Sequence, residues 1–374
     1  MRIASLSVTF VLAAGVAGLA AAEPIPGQVE GLKPGHWLRV AGSALQTVAP
    51  PSGAANVIDP WSGGAFDTKR DQLIVWGGGH GDYSGNEIYT FSLNTLKWTR
   101  VNNPSQPPAK DTAYAADGGP CSRHTYNYVQ YLPAVDRFVS FGGAGFWQSG
   151  QTGTNHTDAF DFETRKWSKL ADVPERAFGI GAFSAVDPNT GHAWQHGAGG
   201  KCLCLAEYLP DKNAWVARGG QWTEGENDFS YNLTAAVDSK RKLFVACGGG
   251  AMWTWNIAAE GALKGAKLET SGDNAIVKAA SPGFEYHAKS DRMVAWSGGA
   301  DVYLLNMDTK AWTKVAPSPG NTVTPTAAAK WGTFGRFRYS PNKDVFVVVN
   351  SISEDVFIYR LPAAGDAPAG NPAK

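Results

Sequence analysis

The chain has 374 residues, more than most single compact domains contain, and a globular composition of 43% hydrophobic and 18% charged residues. Lysine plus arginine number 33, as do aspartate plus glutamate, and this balance argues against a nucleic-acid-binding protein. The 44 glycines and 14 tryptophans suit many short strands, because Gly makes tight turns and Trp fills the space between sheets.

The first 22 residues have the pattern of a secretory signal peptide. Met1-Arg2 is a short basic start, the run Ile3–Leu19 is mostly apolar, and Ala20–Ala22 supplies small residues for cleavage. A transmembrane anchor is the alternative, which the short, Ala- and Gly-rich run disfavours. The sequence therefore predicts a secreted or periplasmic protein whose fold begins at residue 23, with no membrane association.

Four cysteines allow three complete disulfide pairings, and the sequence does not choose among them. Cys247 lies in an apolar run, so we expect a buried thiol there. Cys202 and Cys204 would need His196 to form a metal site, but the C-x-x-C spacing of typical zinc sites is absent. We therefore predict no metal site. The remaining cysteine is Cys121.

A similar segment recurs five times along the chain. Each copy has a turn followed by an apolar, strand-like run, and the first four copies end in Gly-Gly. Apolar and polar residues alternate along many of these runs, which favours strands in stacked sheets. The copies are residues 70–78, 136–143, 242–249, 291–299 and 343–350.

A further strand follows each copy, and a turn then leads in most cases to a strand that carries tryptophan, as in Lys97-Trp98-Thr99-Arg100. One more unit has a less clear Gly-Gly strand but offers the later strands at 205–208 and 214–216. The pattern of strand, Gly-Gly, strand, turn and Trp strand resembles the kelch repeat. This resemblance implies an all-β propeller with four-stranded blades.

The first three strands are present in six copies, but only five fourth strands follow them. Residues 35–40 resemble 97–101 and supply the missing one. We therefore predict a six-bladed kelch-like β-propeller over residues 23–361, in which the N-terminal strand completes the last blade and removes exposed sheet edges. A seventh blade would require strands within residues 103–120. Residues 362–374 are predicted to be a disordered tail.

In a propeller of this connectivity, the loop into each innermost strand and the loop after each Gly-Gly strand lie on one face. This face is the expected ligand site. Polar residues at these positions are concentrated in the first four blades, whereas the fifth blade carries few. We expect Trp61 to lie on the inner strand of blade 1 and residues 123–128 to begin that of blade 2. The candidate side chains are His80, Arg123, His124, Tyr126, Asn127, Trp147, Arg176, Tyr231, Asn232, Trp331 and Arg338.

The His80 loop, Arg123-His124-Thr125-Tyr126, Arg176 and Tyr231 together resemble the His, Tyr and Arg cluster of propeller polysaccharide lyases, such as ulvan lyases and rhamnose–glucuronate lyases. A lyase must neutralise a uronate carboxylate, remove the C5 proton and protonate the leaving oxygen. The resemblance implies that Arg176 and His80 bind the carboxylate, that His124 is the base and that Tyr231 is the acid.

The remaining candidates would contact substrate. The resemblance implies β-elimination on an acidic polysaccharide or oligosaccharide without a cofactor, and whether a calcium ion braces the ring stays open. Those lyases typically have seven blades, one more than we count here. A monomer is expected.

Two other functions stay open. Kelch propellers also bind proteins or glycans without catalysis, and Trp61, Trp147 and Trp331 suit stacking on sugar rings. A sugar epimerase or mutarotase has similar acid–base needs. Copper chemistry of the galactose oxidase type is disfavoured because Tyr286-His287 falls at the far end of its inner strand.

Overall fold

The computed structural model describes residues 27–51, 53–79, 82–106, 112–144, 153–174, 177, 179–197, 205–219 and 232–362. These residues form six sheets around a central channel, and the chain is therefore a six-bladed β-propeller, as predicted. The predicted signal peptide, residues 1–22, lies outside the described residues, and so does all but the first residue of the predicted tail.

The first strand of the chain, β1 (Trp37–Arg39), belongs to the last blade. The next strands build blades 1 to 3 in chain order. They are β2 (Gly64–Asp67), β3 (Gln72–Val75), β4 (Tyr89–Ser92), β5 (Lys97–Arg100), β6 (Val129–Leu132), β7 (Arg137–Ala144), β8 (Gly153–Asp161), β9 (Lys166–Lys169), β10 (Phe183–Val186), β11 (Ala193–His196), β12 (Leu205–Leu209) and β13 (Ala214–Ala217).

Blades 4 to 6 follow, and blade 5 gains a fifth strand, β18, which pairs in parallel with β22. Short 3-10 helices lie at Leu45–Val48, Ala55–Val57, Asn274–Lys278 and Phe334–Arg336. The strands are β14 (Thr234–Asp238), β15 (Leu243–Gly248), β16 (Ala251–Asn256), β17 (Ala266–Lys267), β18 (Ser271–Gly272), β19 (Gly283–His287), β20 (Arg292–Trp296), β21 (Val302–Asn306), β22 (Ala311–Val315), β23 (Phe337–Ser340), β24 (Val345–Val348) and β25 (Phe357–Tyr359).

Blade 6 closes the ring with the N-terminal strand. β1 pairs antiparallel with β25, so that Trp37 lies opposite Tyr359. This pairing confirms the predicted closure. In the described part of residues 103–120, an isolated bridge joins Tyr114 to Pro120 and no strand forms, which leaves the count at six blades.

The innermost strands β2, β6, β10, β14, β19 and β23 contact one another in sequence around the channel, and β23 returns to β2. Large aromatic side chains fill the space between neighbouring blades. Trp76 of blade 1, for example, is fully buried against Phe138 and Trp167 of blade 2, at 6.3 and 5.2 Å between ring centroids. Burial of such rings is the main stabilising contribution between blades.

Glycine is required where the second strand of a blade meets the segment that leads into an inner strand. Gly77 has φ of 108°, and a Cβ at this position would lie 2.5 Å from the Arg123 carbonyl oxygen. Gly248 has φ of 135°, and its Cβ would lie 2.1 Å from the Asn232 carbonyl oxygen. The Gly-Gly signature therefore marks backbone contacts that no side chain permits.

The turns between first and second strands carry a repeated ion pair that joins neighbouring blades. Arg70 of blade 1 donates two hydrogen bonds to Asp136 of blade 2, at 2.7 and 2.9 Å. Arg241 of blade 4 binds Asp291 of blade 5 with the same two distances. We call the side of the ring with these turns the turn face, and the opposite side the loop face.

Candidate functional site

The segments that lead into the inner strands build the loop face. Tyr126 donates its backbone N–H to the Trp61 carbonyl at 2.7 Å, which joins the segments of blades 1 and 2. The sequence placed these residues on the inner strands themselves, but the strands start later, at Gly64 and Val129. Trp61 and Tyr126 have φ of 45° and 39°, a left-handed conformation that an extended strand does not accommodate.

His124 is an almost fully buried polar group at this face. Its Nε2 atom lies 2.7 Å from Oδ2 of Asp82, and its ring lies 5.0 Å from that of Trp61. His124 is 1% exposed, whereas the Asp82 side chain is 38% exposed. A carboxylate bound to one ring nitrogen fixes the orientation and tautomer of an imidazole, and it stabilises the protonated form.

The loop that carries Asp82 is anchored on both sides. A Cβ on Gly79 would lie 2.1 Å from the His124 backbone nitrogen, so only glycine lets the loop approach this closely. Behind it, Tyr83 and Tyr89 both donate hydroxyl hydrogen bonds to Glu87. Burial, together with the Glu87 charge, raises the pKa of both phenols far above the usual range. Both hydroxyls therefore stay protonated and hold the loop in place.

Two stacked tryptophans lie beside the histidine. The Trp61 and Trp331 rings are 4.3 Å apart and inclined by 19°, and Trp331 is 36% exposed. Lys330 places its ammonium 4.5 Å from the Trp331 ring centroid. The loop face thus offers an aromatic surface with a cation at its side.

Arg123 is turned into the protein. Its guanidinium is fully buried, pairs with Asp158 and donates to the carbonyl oxygens of Gly142 and His156. The hydroxyl of Tyr114 donates to the other Asp158 oxygen at 3.0 Å. These contacts stabilise blade 2 and direct the Arg123 guanidinium to acceptors inside the protein.

Of the other candidates, Tyr126 and Asn127 are buried, and the Asn127 side-chain oxygen accepts the Ala235 N–H at 2.8 Å. Asn232 is half-buried at the start of blade 4. Arg338 lies inside the channel on β23, away from His124. His80, Trp147, Arg176 and Tyr231, together with Cys202 and Cys204, lie outside the described residues.

Buried charge also lies under the loop face in blade 6. Arg336 is fully buried and donates to the carbonyl oxygens of Ser62 and Val349. Burial lowers the pKa of Arg336 to about 10, although Asp59 opposes the shift, and the side chain stays charged at neutral pH. Burial raises the pKa of Asp59 in turn, and Arg336 opposes that shift. This arginine positions the segment that carries Trp331.

Sequence reasoning missed the importance of Asp82 and Asp158. Asp82 lies in the Gly-rich loop after β3. The repeat places this loop next to the start of blade 2, so the alignment of the repeats could have predicted that Asp82 lies near His124. Asp158 lies on β8, and nothing in its sequence context marks it as the acceptor of Arg123. Cys121 and Cys247 are buried free thiols, as expected for Cys247.

Among the described residues, no group of three His, Cys, Asp or Glu side chains has the arrangement of a metal site. Within that same part of the chain, no helix is long and apolar enough to cross a bilayer. No protein-family model matches the chain, and no curated protein matches its sequence. The fold and the loop face define a six-bladed β-propeller with a His–Asp pair beside an aromatic surface.

Proposed function

We propose that this protein is an exported propeller of the kelch type that cleaves a uronic-acid-containing glycan by β-elimination at its loop face. The observation that supports the proposal most is the 2.7 Å contact of His124 with Asp82, beside the stacked pair Trp61 and Trp331. An oriented histidine next to an aromatic surface suits acid–base chemistry on a sugar ring.

Asp82 would orient the base in this proposal. The His124 ring, held by the contact between its Nε2 atom and Asp82, would accept the C5 proton. Asp82 would then stabilise the imidazolium that forms. The acid that protonates the leaving oxygen is Tyr231 in this proposal, on the basis of the sequence resemblance.

The neighbouring groups suit the substrate. A sugar ring stacks on an exposed indole face through its C–H surface, and Trp331 offers such a face. Loss of the C5 proton requires that the carboxylate charge be neutralised. Lys330 is close enough to this surface to contribute, in addition to Arg176 and His80, which the resemblance implies.

The low exposure of His124 favours a second candidate, a non-catalytic glycan-binding propeller. An imidazole that is 1% exposed needs a rearrangement of the loop face before a substrate reaches it, whereas Trp331 is accessible as it stands. The two candidates share the aromatic surface and differ only in turnover.

The decisive experiment follows the ultraviolet absorbance of the unsaturated product on polymers of glucuronate, iduronate and galacturonate. Turnover on one of them is expected for the lyase. Absence of turnover on all of them, with retained glycan binding, would establish the binding module instead.

Variants then assign the roles. His124→Ala should lower kcat by about 10²- to 10⁴-fold, the usual contribution of a general base. Asp82→Asn should give a smaller loss with a shifted pH profile. His192, whose Nδ1 lies 2.7 Å from Glu207 in blade 3, offers matched controls: His192→Ala and Glu207→Gln should leave turnover unchanged. Full activity in His124→Ala would remove this residue from the mechanism.

A further inference from the structure

A cavity of about 520 Å³ occupies the channel at the turn face, on the opposite side of the ring from His124. Its volume is in the range of small-molecule sites, roughly 300–1,000 Å³. Five inner strands with their following turns contribute the same three positions to its walls, and blade 1 contributes two of them, so the cavity has a layered lining. The deepest layer contains Gln130, Ala185, Ala236, Glu285 and Arg338; the next contains Phe66, Tyr131, Val186, Val237, Tyr286 and Tyr339; and the rim contains Thr68, Pro133, Pro188, Ser239, Ala288 and Pro341.

Arg338 closes the cavity at its inner end. From blade 6 its guanidinium donates to the Gly64 carbonyl of blade 1 and to Glu285 of blade 5, at 2.8 and 2.9 Å. Its Nε atom donates to the Gly335 carbonyl at 2.9 Å, and Nη2 also reaches Gln130 of blade 2. Nε, Nη1 and Nη2 thus each bind protein acceptors, which leaves the arginine poorly placed to bind an anion.

Glu285 is the acidic residue of the cavity lining. One carboxylate oxygen accepts from Arg338, and the side chain is 18% exposed although the residue lies deep in the channel. That exposed part belongs to the cavity lining. The carboxylate therefore lines the cavity as an acceptor. Burial raises the pKa of Glu285, but the Arg338 guanidinium opposes that shift and favours the charged form.

The layer of tyrosines also favours a cation in the cavity. The hydroxyls of Tyr131, Tyr286 and Tyr339 donate to Asp136, Asp291 and Asp344, at 2.8 to 2.9 Å. Because these hydroxyls are held at the turns, the rings are what the tyrosines offer to the cavity. Aromatic rings attract cations. Apart from Ser239 at the rim, blades 3 and 4 contribute small apolar side chains opposite the tyrosines.

We propose that the turn-face cavity is a binding site for a small organic amine, whose ammonium binds Glu285 beneath the three tyrosines and whose apolar body contacts blades 3 and 4. This site is independent of the proposed lyase function, because it lies on the other face and shares no residue with the His124 cluster.

The test is isothermal titration calorimetry of the full mature chain with phenethylamine and hexylamine, using 2-phenylethanol and phenylacetate as neutral and anionic analogues. Both amines should bind saturably, and the analogues should bind about ten- to a hundred-fold more weakly, as expected for one charged hydrogen bond. Equal affinity for phenylacetate, or no saturable binding of either amine, would overturn the proposal.

Two variants locate the site. Glu285→Gln keeps the shape of the side chain but removes its charge, and it should weaken amine binding at least about ten-fold. The exposed Glu260→Gln is the matched control and should bind as the wild type does. Ala288→Trp narrows the rim without touching Glu285 or Arg338, so it should also weaken binding if Glu285→Gln fails to fold. Unchanged affinity in the folded Glu285 variant, or in Ala288→Trp, would refute the assigned position.

Discussion

Protonation of His196 should control the acid stability of the propeller. The side chain is fully buried at the end of β11, with its ring stacked on Phe183 at 5.1 Å and lying 4.8 Å from the ring of Trp255. Burial lowers the pKa of His196 from 6.5 to about 3, although a hydrogen bond to the Gly197 carbonyl opposes the shift. The folded state therefore holds a neutral imidazole over a wide acidic range.

The sign of the effect follows from the lowered pKa. Above about pH 6.5 neither state is protonated at this position, and the full stability is present. As the pH falls below that value, the unfolded chain binds a proton that the folded chain rejects, so the free energy of unfolding decreases by about 1.4 kcal/mol per pH unit. Between about pH 6.5, where the unfolded imidazole is half protonated, and about pH 4.5, the loss is about 2 kcal/mol.

Urea denaturation at several pH values measures this loss. His196→Phe replaces the imidazole with an aromatic ring that does not titrate and suits the stack with Phe183. The variant should lose about 2 kcal/mol less than the wild type over the same interval, whatever its stability at neutral pH. Parallel stability curves for the two proteins would show that His196 is protonated equally in the folded and unfolded states.

Three further outcomes are expected. Arg70→Ala should lower the free energy of unfolding by about 1–2 kcal/mol in urea denaturation, because its pair with Asp136 is bidentate and the Arg70 side chain is only 31% exposed. The control Arg39→Ala, on a side chain that is 64% exposed, should change it by less than about 0.5 kcal/mol. Gly77→Ala should cost more than Gly53→Ala in the same assay, since both have positive φ but only Gly77 meets a backbone oxygen; equal costs would show that the segment at Arg123 gives way. Cys121 and Cys247 should resist thiol labelling in the native state and react on denaturation, because burial raises the pKa of both thiols, to about 11 for Cys121; rapid native labelling, located by peptide mass spectrometry, would contradict this.

The repeat pattern was sufficient for the architecture. Most blades repeat the same local pattern of a turn, an apolar strand and a glycine pair, and the blades without the glycine pair keep the later strands. The number of blades could therefore be predicted from local residues alone. The closure by residues 35–40 was also readable, because a missing fourth strand at one end matched an extra strand at the other. The predicted starts of the inner strands were less accurate, because Trp61 and Tyr126 adopt left-handed conformations that their residue types do not predict.

The use of individual polar residues depended on contacts between blades. Arg123 and His124 are adjacent in the sequence, yet Arg123 turns inward to Asp158 and His124 turns to Asp82, on elements 35 and 42 residues away respectively. Likewise, Glu285 and Arg338 are 53 residues apart and meet only because the ring brings blades 5 and 6 together. The sequence by itself determined the propeller, because its signals are local and repeated. Only the tertiary structure decided which polar side chains are paired inside the protein and which line the loop face or the cavity, because that depends on partners in other blades.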